Sequence, residues 1–375
     1  MANPAHAMLS ASSAYRWMKC TPSAKLESVL PDIKKPAGAF DYSAEGTYAH
    51  ELAEAKLRLR YGMIDTLEHD KIRAKIKGTK YYTPEFEAFV DDYVLYVASQ
   101  IGDSDKPMFE QKVDYSEWAP DGFGTADVVI LSEHKVRIID LKFGQGIPVT
   151  AQHNAQLRLY ALGAWNKFQY EYPNIKEVEY TIHQPRLHSI STDSTTLEKL
   201  KEWADYVVKP KAQKAWTGSG DFIAGDHCGF CKAKFQCKKR SEYVDELAKL
   251  EFRDPPLLEE HEMSRFLEIA PMAISYIRDV ETYLTERAVE TGKTPVGYKL
   301  GNKITQRKIE DTEKAMEILS KHFDVEEITE PPKLKSISKL EKIDADKVNG
   351  LLGELIVKPV GEPKLVVDRS ADDFS

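Results

Sequence analysis

The sequence predicts an α+β fold, a mixed β-sheet flanked by helices, and three observations carry that expectation. Three short Val- and Ile-rich segments follow one another between residues 108 and 141. A helical segment with an apolar face then separates them from a fourth such segment. Long helical stretches precede and follow the whole set, so runs of helix and strand are segregated rather than strictly alternating.

A first short helix is expected over residues 12–19, with Ser10, Ser12 and Ser13 as candidate caps. A second runs from about 45 to 61, where Gly62 offers a stop. A third has Thr83 as cap, Pro84 at its first position and Gly102 just past its end. Segments 108–114, 125–131 and 135–141 read as strands, parted by Asp121-Gly122 and by Ser132-Glu133-His134, in an antiparallel meander. A helix over 154–170 is ended by Tyr172-Pro173-Asn174, a fourth strand covers 178–183, and a helix over 195–216 leads into a group of cysteines. Past Arg253-Asp254-Pro255-Pro256 the composition shifts to two helices, about 257–270 and 274–291, and a Lys-rich tail. Residues 1–253 are therefore expected as one domain and 254–375 as an extension of unassigned role.

Composition narrows the classes. With 375 residues the chain can bury a core without disulfide staples, and its 42% hydrophobic and 30% charged content is that of a globular protein. No stretch reaches the roughly 18 apolar residues of a membrane span. The start, Met1-Ala-Asn-Pro-Ala-His, lacks the basic and apolar regions of a secretion signal, so a cytoplasmic setting is expected. The net charge of −8 argues mildly against a broad nucleic-acid-binding surface, although a channel needs only local basic lining. No Gly-x-x-x-x-Gly-Lys-Ser/Thr loop is present, so no nucleotide triphosphate is expected as a partner. Four cysteines are too few for a disulfide scaffold. Their arrangement, Cys20 alone and Cys228, Cys231 and Cys237 close together, suggests a metal.

Two adjacent strands carry a carboxylate–lysine constellation. Asp127 ends Gly124-Thr125-Ala126-Asp127, and Asp140 and Lys142 belong to Ile139-Asp140-Leu141-Lys142. Two residues apart on a strand, Asp140 and Lys142 project from one face. A hard divalent cation takes carboxylate oxygens and keeps positions open for water and a phosphoryl group, and an ammonium beside it can meet developing charge. Asp140 follows the apolar-rich run Val136-Arg137-Ile138-Ile139, where an unpaired carboxylate is costly. Earlier, Gly46-Thr47-Tyr48-Ala49-His50-Glu51-Leu52-Ala53-Glu54 puts His50 and Glu54 on one helix face. Later, Gln156-Leu157-Arg158-Leu159-Tyr160 does the same for Gln156 and Tyr160.

In that order, helical His, strand Asp, Asp-x-Lys and helical Gln-x-x-x-Tyr, the chain resembles the RecB/AddB-like branch of the PD-(D/E)XK nuclease superfamily over roughly residues 10 to 245. The resemblance implies a restriction-endonuclease-like core and a metal-dependent DNA exonuclease acting on single-stranded DNA or DNA ends. It implies His50, Asp127 and Asp140 as ligands of Mg²⁺ or Mn²⁺ and Lys142 as the catalytic lysine. Gln156 and Tyr160 would position DNA and that lysine, and Glu110 and Glu54 are accessory candidates. The Cys20 … Cys228-x2-Cys231-x5-Cys237 pattern is similar to that of the iron–sulfur members, in which a [4Fe–4S] cluster clips the chain ends around the core. Ligand chemistry alone favours Zn²⁺ there, and the resemblance shifts the expectation to the cluster. By analogy with phage and prophage members, DNA is the expected partner, with a strand-annealing or single-strand-binding protein beside it in a bacterial host cell. The competing expectation is a non-catalytic DNA-binding or assembly protein that keeps the fold.

Overall fold

A computed structural model of the protein describes residues 7–32, 41–146, 148–248, 260–296 and 298–300. By its contacts the chain divides into Met1–Glu290 and Thr291–Ser375. Of the second unit, the described residues are the last helical residue, Thr291, and an irregular stretch to Leu300. The boundary expected at Pro255-Pro256 and most of the Lys-rich tail lie outside the described residues, and the first compact unit runs on to Glu290.

The first unit is α+β, built on one mixed sheet of five strands in sequence order. Strands β1 (Lys106–Asp114), β2 (Phe123–Leu131) and β3 (Lys135–Leu141) form the antiparallel meander that the turn spacing predicts. Strand β4 (Glu177–Gln184) runs parallel to β3, which requires a crossover. Helix α6 (Ala155–Phe168) supplies it, capped by Asn154, which accepts from the Leu157 amide at 3.2 Å. Before the sheet come α1 (Ala14–Lys19), α2 (Pro22–Val29), α3 (Tyr42–Arg60), α4 (Thr66–Lys77) and α5 (Pro84–Ser99). Asp41 caps α3, and Thr83 caps α5 with Pro84 at its first position, as its sequence predicts.

Four features depart from expectation. Helices α2 and α4 are additional to the expected elements, although Pro22 opens α2 and Asp65, accepting from the Glu68 amide, caps α4. Residues 195 and 196, expected to open a helix, instead end a fifth strand, β5 (Ser189–Thr196), paired antiparallel with β4 at the sheet edge. Its sequence, Ser-Ile-Ser-Thr-Asp-Ser-Thr-Thr, is almost wholly polar, as suits a strand with one face in water. The following helix is α7 (Leu197–Trp203) and α8 (Lys209–Thr217) joined by a π turn at Ala204–Val208. Finally, after α9 (Lys238–Ala248), the two C-terminal helices are one. Helix α10 (Glu260–Thr291) passes through Pro271. Proline removes one helical hydrogen bond, but Ile269 and Ala273 on either side of it are buried.

Two apolar layers sandwich the sheet. Val129, Leu131, Ile138, Tyr180 and Ile182 pack with α6, α8 and the N-terminal helices. Val128, Ile130, Ile139 and Leu141 face the opposite way, onto α3 and α5. This is the period-two alternation of buried strands. It fails at one place. Val113 and Ala126 belong to the first layer and Phe109 and Val128 to the second, although even spacing should put each pair on one face. Between them Glu110, at φ +49°, stands opposite Asp127, and the ladder skips both. The kink turns each strand over, and it lies at the candidate site.

On the second layer a charged knot ties three helices together. Glu87 of α5 accepts from Lys56 of α3 at 2.8 Å, from Arg73 of α4 at 2.6 and 3.0 Å, and from the Tyr82 hydroxyl. Burial pushes its acidity toward weaker values, but these donors outweigh it and hold the carboxyl at about 2. A depressed carboxyl adds stability above its unfolded pKa, near 4.3, and loses it as pH falls toward the folded value. Glu87→Gln is thus expected to cost about 2 kcal/mol at neutral pH, with the Tm gap to wild type closing between pH 4 and pH 2 or so. A gap independent of pH would mean that packing, not charge, is what Glu87 contributes.

The Glu110 kink generates a second prediction. A left-handed non-glycine residue costs about 1 kcal/mol relative to glycine. Glu110→Gly should therefore unfold at higher denaturant than Glu110→Ala by about that amount. Both variants lack the carboxylate, so the comparison isolates the backbone, and equal stability would show that the kink carries no strain.

Candidate metal centre

Polar side chains from α3, β1, β2, β3 and α6 converge where β2 parts from β3. The β2–β3 ladder ends at the Val128–Ile139 pair. Beyond it, the Asp127 carboxylate takes the Leu141 amide at 2.7 Å, so a side chain replaces the missing ladder bond and holds the strands apart. Asp127 and Asp140 sit at the opening.

His50 reaches the opening from α3. Its Nδ1 lies 3.3 Å from Asp127 Oδ1 and 3.9 Å from Glu110 Oε1. Ligand atoms of His50, Glu110 and Asp127 all fall within 4.8 Å of one another, and among the described residues no other trio of His, Cys, Asp or Glu does so. Each is partly open to solvent. Glu110, an accessory candidate from the sequence, is thus at the centre of the group. Its left-handed backbone, invisible in the sequence, is what aims it there.

Asp140 stands beside this trio, with its side chain only 2% exposed. Its Oδ2 lies 2.9 Å from the Lys142 ammonium, and its Oδ1 accepts from Gln156 Nε2 at 3.1 Å. Gln156 Oε1 in turn accepts from Lys142 at 3.1 Å, and Gln156 Nε2 also donates to the Tyr160 hydroxyl at 3.2 Å. The period-two and helical spacings read from the sequence therefore do bring Asp140, Lys142, Gln156 and Tyr160 into one network. Gly124 makes room for it: a Cβ there would sit 2.7 Å from the Tyr160 ring. Glu54 is placed apart. It pairs with Arg58 at 2.8 Å and acts on the trio only through its charge, which weakens the acidity of Glu110.

The electrostatics are those of a site with surplus negative charge. Burial and the Asp127 carboxylate push Glu110 up to about 7. Burial also raises Asp140, against the pull of Lys142. Asp127 is held low despite its burial, by His50 and Lys142. Burial disfavours the imidazolium of His50, yet Asp127 outweighs it and holds the ring up to about 9. Two acids that resist ionising and a histidine that keeps its proton are what a divalent cation at the trio would relieve, so the donor set fits a hard metal.

The four cysteines are also brought together. Cys20 ends α1, Cys228 and Cys231 flank a short turn after α8, and Cys237 precedes α9, and all four line one small cavity. No disulfide forms among them, and three are buried. Polar contacts bind the N-terminal helices to this segment. Glu27 accepts from Arg16 and from the Lys232 amide, both at 2.7 Å, and Arg16 also donates to the Phe230 carbonyl at 3.1 Å. Thr21 donates to the Ser219 carbonyl at 2.7 Å. None of these contacts was legible in the sequence, which offers only the spacing of the thiols.

A crystal structure of the protein SSO0001 is similar over 58% of this chain and 95% of its own, at 16% identity and a TM-score of 0.24. So loose a superposition carries no argument about fold or chemistry. No helix among the described residues is long and apolar enough to cross a membrane. A family model described as "Protein of unknown function (DUF2800)" matches residues 6–372, and the chain belongs to that family.

Proposed function

We propose that this protein is a divalent-metal-dependent deoxyribonuclease of PD-(D/E)XK type, hydrolysing phosphodiester bonds of single-stranded DNA or DNA ends. One observation carries the reading. The trio His50, Glu110 and Asp127 lies directly beside an Asp140–Lys142 pair whose two partners are both gripped by Gln156. A bound Mg²⁺ or Mn²⁺ would neutralise phosphoryl oxygens and acidify an attacking water.

The chain's own groups do the rest. His50, Glu110 and Asp127 offer the donors for the cation, with Asp140 adjacent. Lys142, held by Asp140 and Gln156, keeps a fixed positive charge where negative charge grows on the phosphate. Gln156 and Tyr160 lock the lysine's position, so little reorganisation accompanies the reaction. DNA processing in a phage setting, beside a strand-annealing or single-strand-binding protein, follows by analogy alone.

We read the cysteine cavity as a second, structural metal site. The distant Cys20 followed by the Cys228-x2-Cys231-x5-Cys237 group, similar to that of the iron–sulfur nucleases, favours an iron–sulfur cluster such as [4Fe–4S] over Zn²⁺. Its effect would be to close the long loop between Cys20 and Cys228 and couple both ends to metal binding.

End-labelled DNA incubated with wild type and Mn²⁺ should be degraded. Asp140→Asn and Lys142→Ala should each lower the rate at least 100-fold or so while leaving the far-ultraviolet spectrum unchanged. Undiminished cleavage by both variants would place the chemistry elsewhere. Folded wild type that binds DNA equally with and without metal and cleaves nothing would favour a binding module. Anaerobically purified protein should absorb broadly near 400 nm or so and contain iron; colourless protein with one zinc per chain would replace the cluster by Zn²⁺.

A further inference from the structure

The cysteine cavity has a further wall. His227, next to Cys228, lies in the turn that carries the first two clustered thiols, and it is 98% buried, with only 2% of its surface exposed. Its Nε2 lies 2.9 Å from the Ile223 carbonyl, which can only accept, so Nε2 carries a hydrogen. That leaves Nδ1, which is buried and has no hydrogen-bond partner. The imidazole interacts first with the Asp226 carboxylate and then with the sulfurs of Cys20 and Cys228. Gly225 makes room for the ring, since a Cβ there would sit 2.9 Å from Nδ1 and Cε1, and the Tyr15 ring lies edge-on at 6.4 Å.

A histidine whose one ring nitrogen donates to a backbone carbonyl while the other is buried without a hydrogen-bond partner, in the wall of a cavity lined by four thiols, has the arrangement of a metal ligand. The carbonyl fixes the tautomer and turns the lone pair toward the metal. The competing partner is Asp226, whose Oδ1 is 3.7 Å from Nδ1. That carboxylate is largely exposed and already engaged by the His227 amide at 2.8 Å, by Lys19 at 3.5 Å and by the Tyr15 hydroxyl. Cys237, by contrast with the other three thiols, stands half-buried at the rim of the cavity.

We propose that His227 is a ligand of the cysteine site, through Nδ1, beside the buried sulfurs of Cys20, Cys228 and Cys231. The proposal rests on the reading of the cysteines as a metal site. A nitrogen ligand in place of a thiolate would raise the potential of an iron–sulfur centre and remove one negative charge from a buried site.

Metal per chain is to be measured on anaerobically purified full-length protein, with His227→Ala and Asp226→Asn alongside. His227→Ala should lose more than half of the metal, and Asp226→Asn should keep it. Wild type containing histidine labelled at its ring nitrogens should show a strong nitrogen hyperfine coupling in the reduced iron form, or after Co²⁺ replaces zinc. This needs no variant to fold. Full metal in His227→Ala, or no nitrogen coupling in wild type, would overturn the assignment and leave His227 as an imidazolium paired with Asp226. Wild type that holds no metal at all would instead remove the cysteine-site reading beneath it, and the assignment with it.

Discussion

The bond from the Leu141 amide to the Asp127 carboxylate is the contact on which the site depends. A ladder hydrogen bond between β2 and β3 would zip the strands together and close the opening. A side-chain acceptor satisfies the same backbone donor while keeping the strands apart, so no buried N–H is orphaned. The opening then admits His50 from one side of the sheet and Gln156 from the other. The turned-over backbone at Glu110 is the counterpart on β1, where an unfavourable φ delivers a carboxylate that regular alternation would point elsewhere.

Such a concentration of carboxylates is costly in a partly buried place, and the surrounding structure holds it. Two apolar layers grip the sheet on both faces, and α6 approaches closely enough that a Cβ on Gly163 would lie 3.0 Å from Val113. Rigid support of this kind prevents the acids from separating to relieve their repulsion. Lys142 is committed to Asp140 and the His50 imidazolium to Asp127, so the trio's surplus rests on Glu110, pushed up to about 7, the carboxyl left without a cation of its own. Under the nuclease reading, that surplus is the free energy available for cation binding.

The cysteine region is held differently. Its contacts with α1 and α2 are mostly hydrogen bonds and ion pairs, several of them partly exposed, around a small cavity. Exposed pairs of this type contribute little each. Under the reading of the cysteines as a metal site, a bound metal would add a brace here to the apolar packing of α8 against the N-terminal helices.

Much of this was readable in the residues. Val- and Ile-rich runs between turn residues located β1 to β4, Thr83 and Pro84 announced α5, and spacing alone put Asp140 with Lys142 and Gln156 with Tyr160, because these relations are local. The polar edge strand β5 escaped, since a strand with one wet face and few apolar residues resembles a loop. The unbroken α10 escaped because proline's local preference was overridden by burial on both sides. The promotion of Glu110 and the orphaned Nδ1 of His227 belong to tertiary structure alone. They depend on a left-handed backbone, a ladder that stops early and a carbonyl four residues away, and none of these leaves a periodic trace in the chain. The sequence by itself determined which chemical groups were available and on which element each would stand. Only the folded structure decided which of them meet, because distances across a sheet are set by strand register and by where pairing ends.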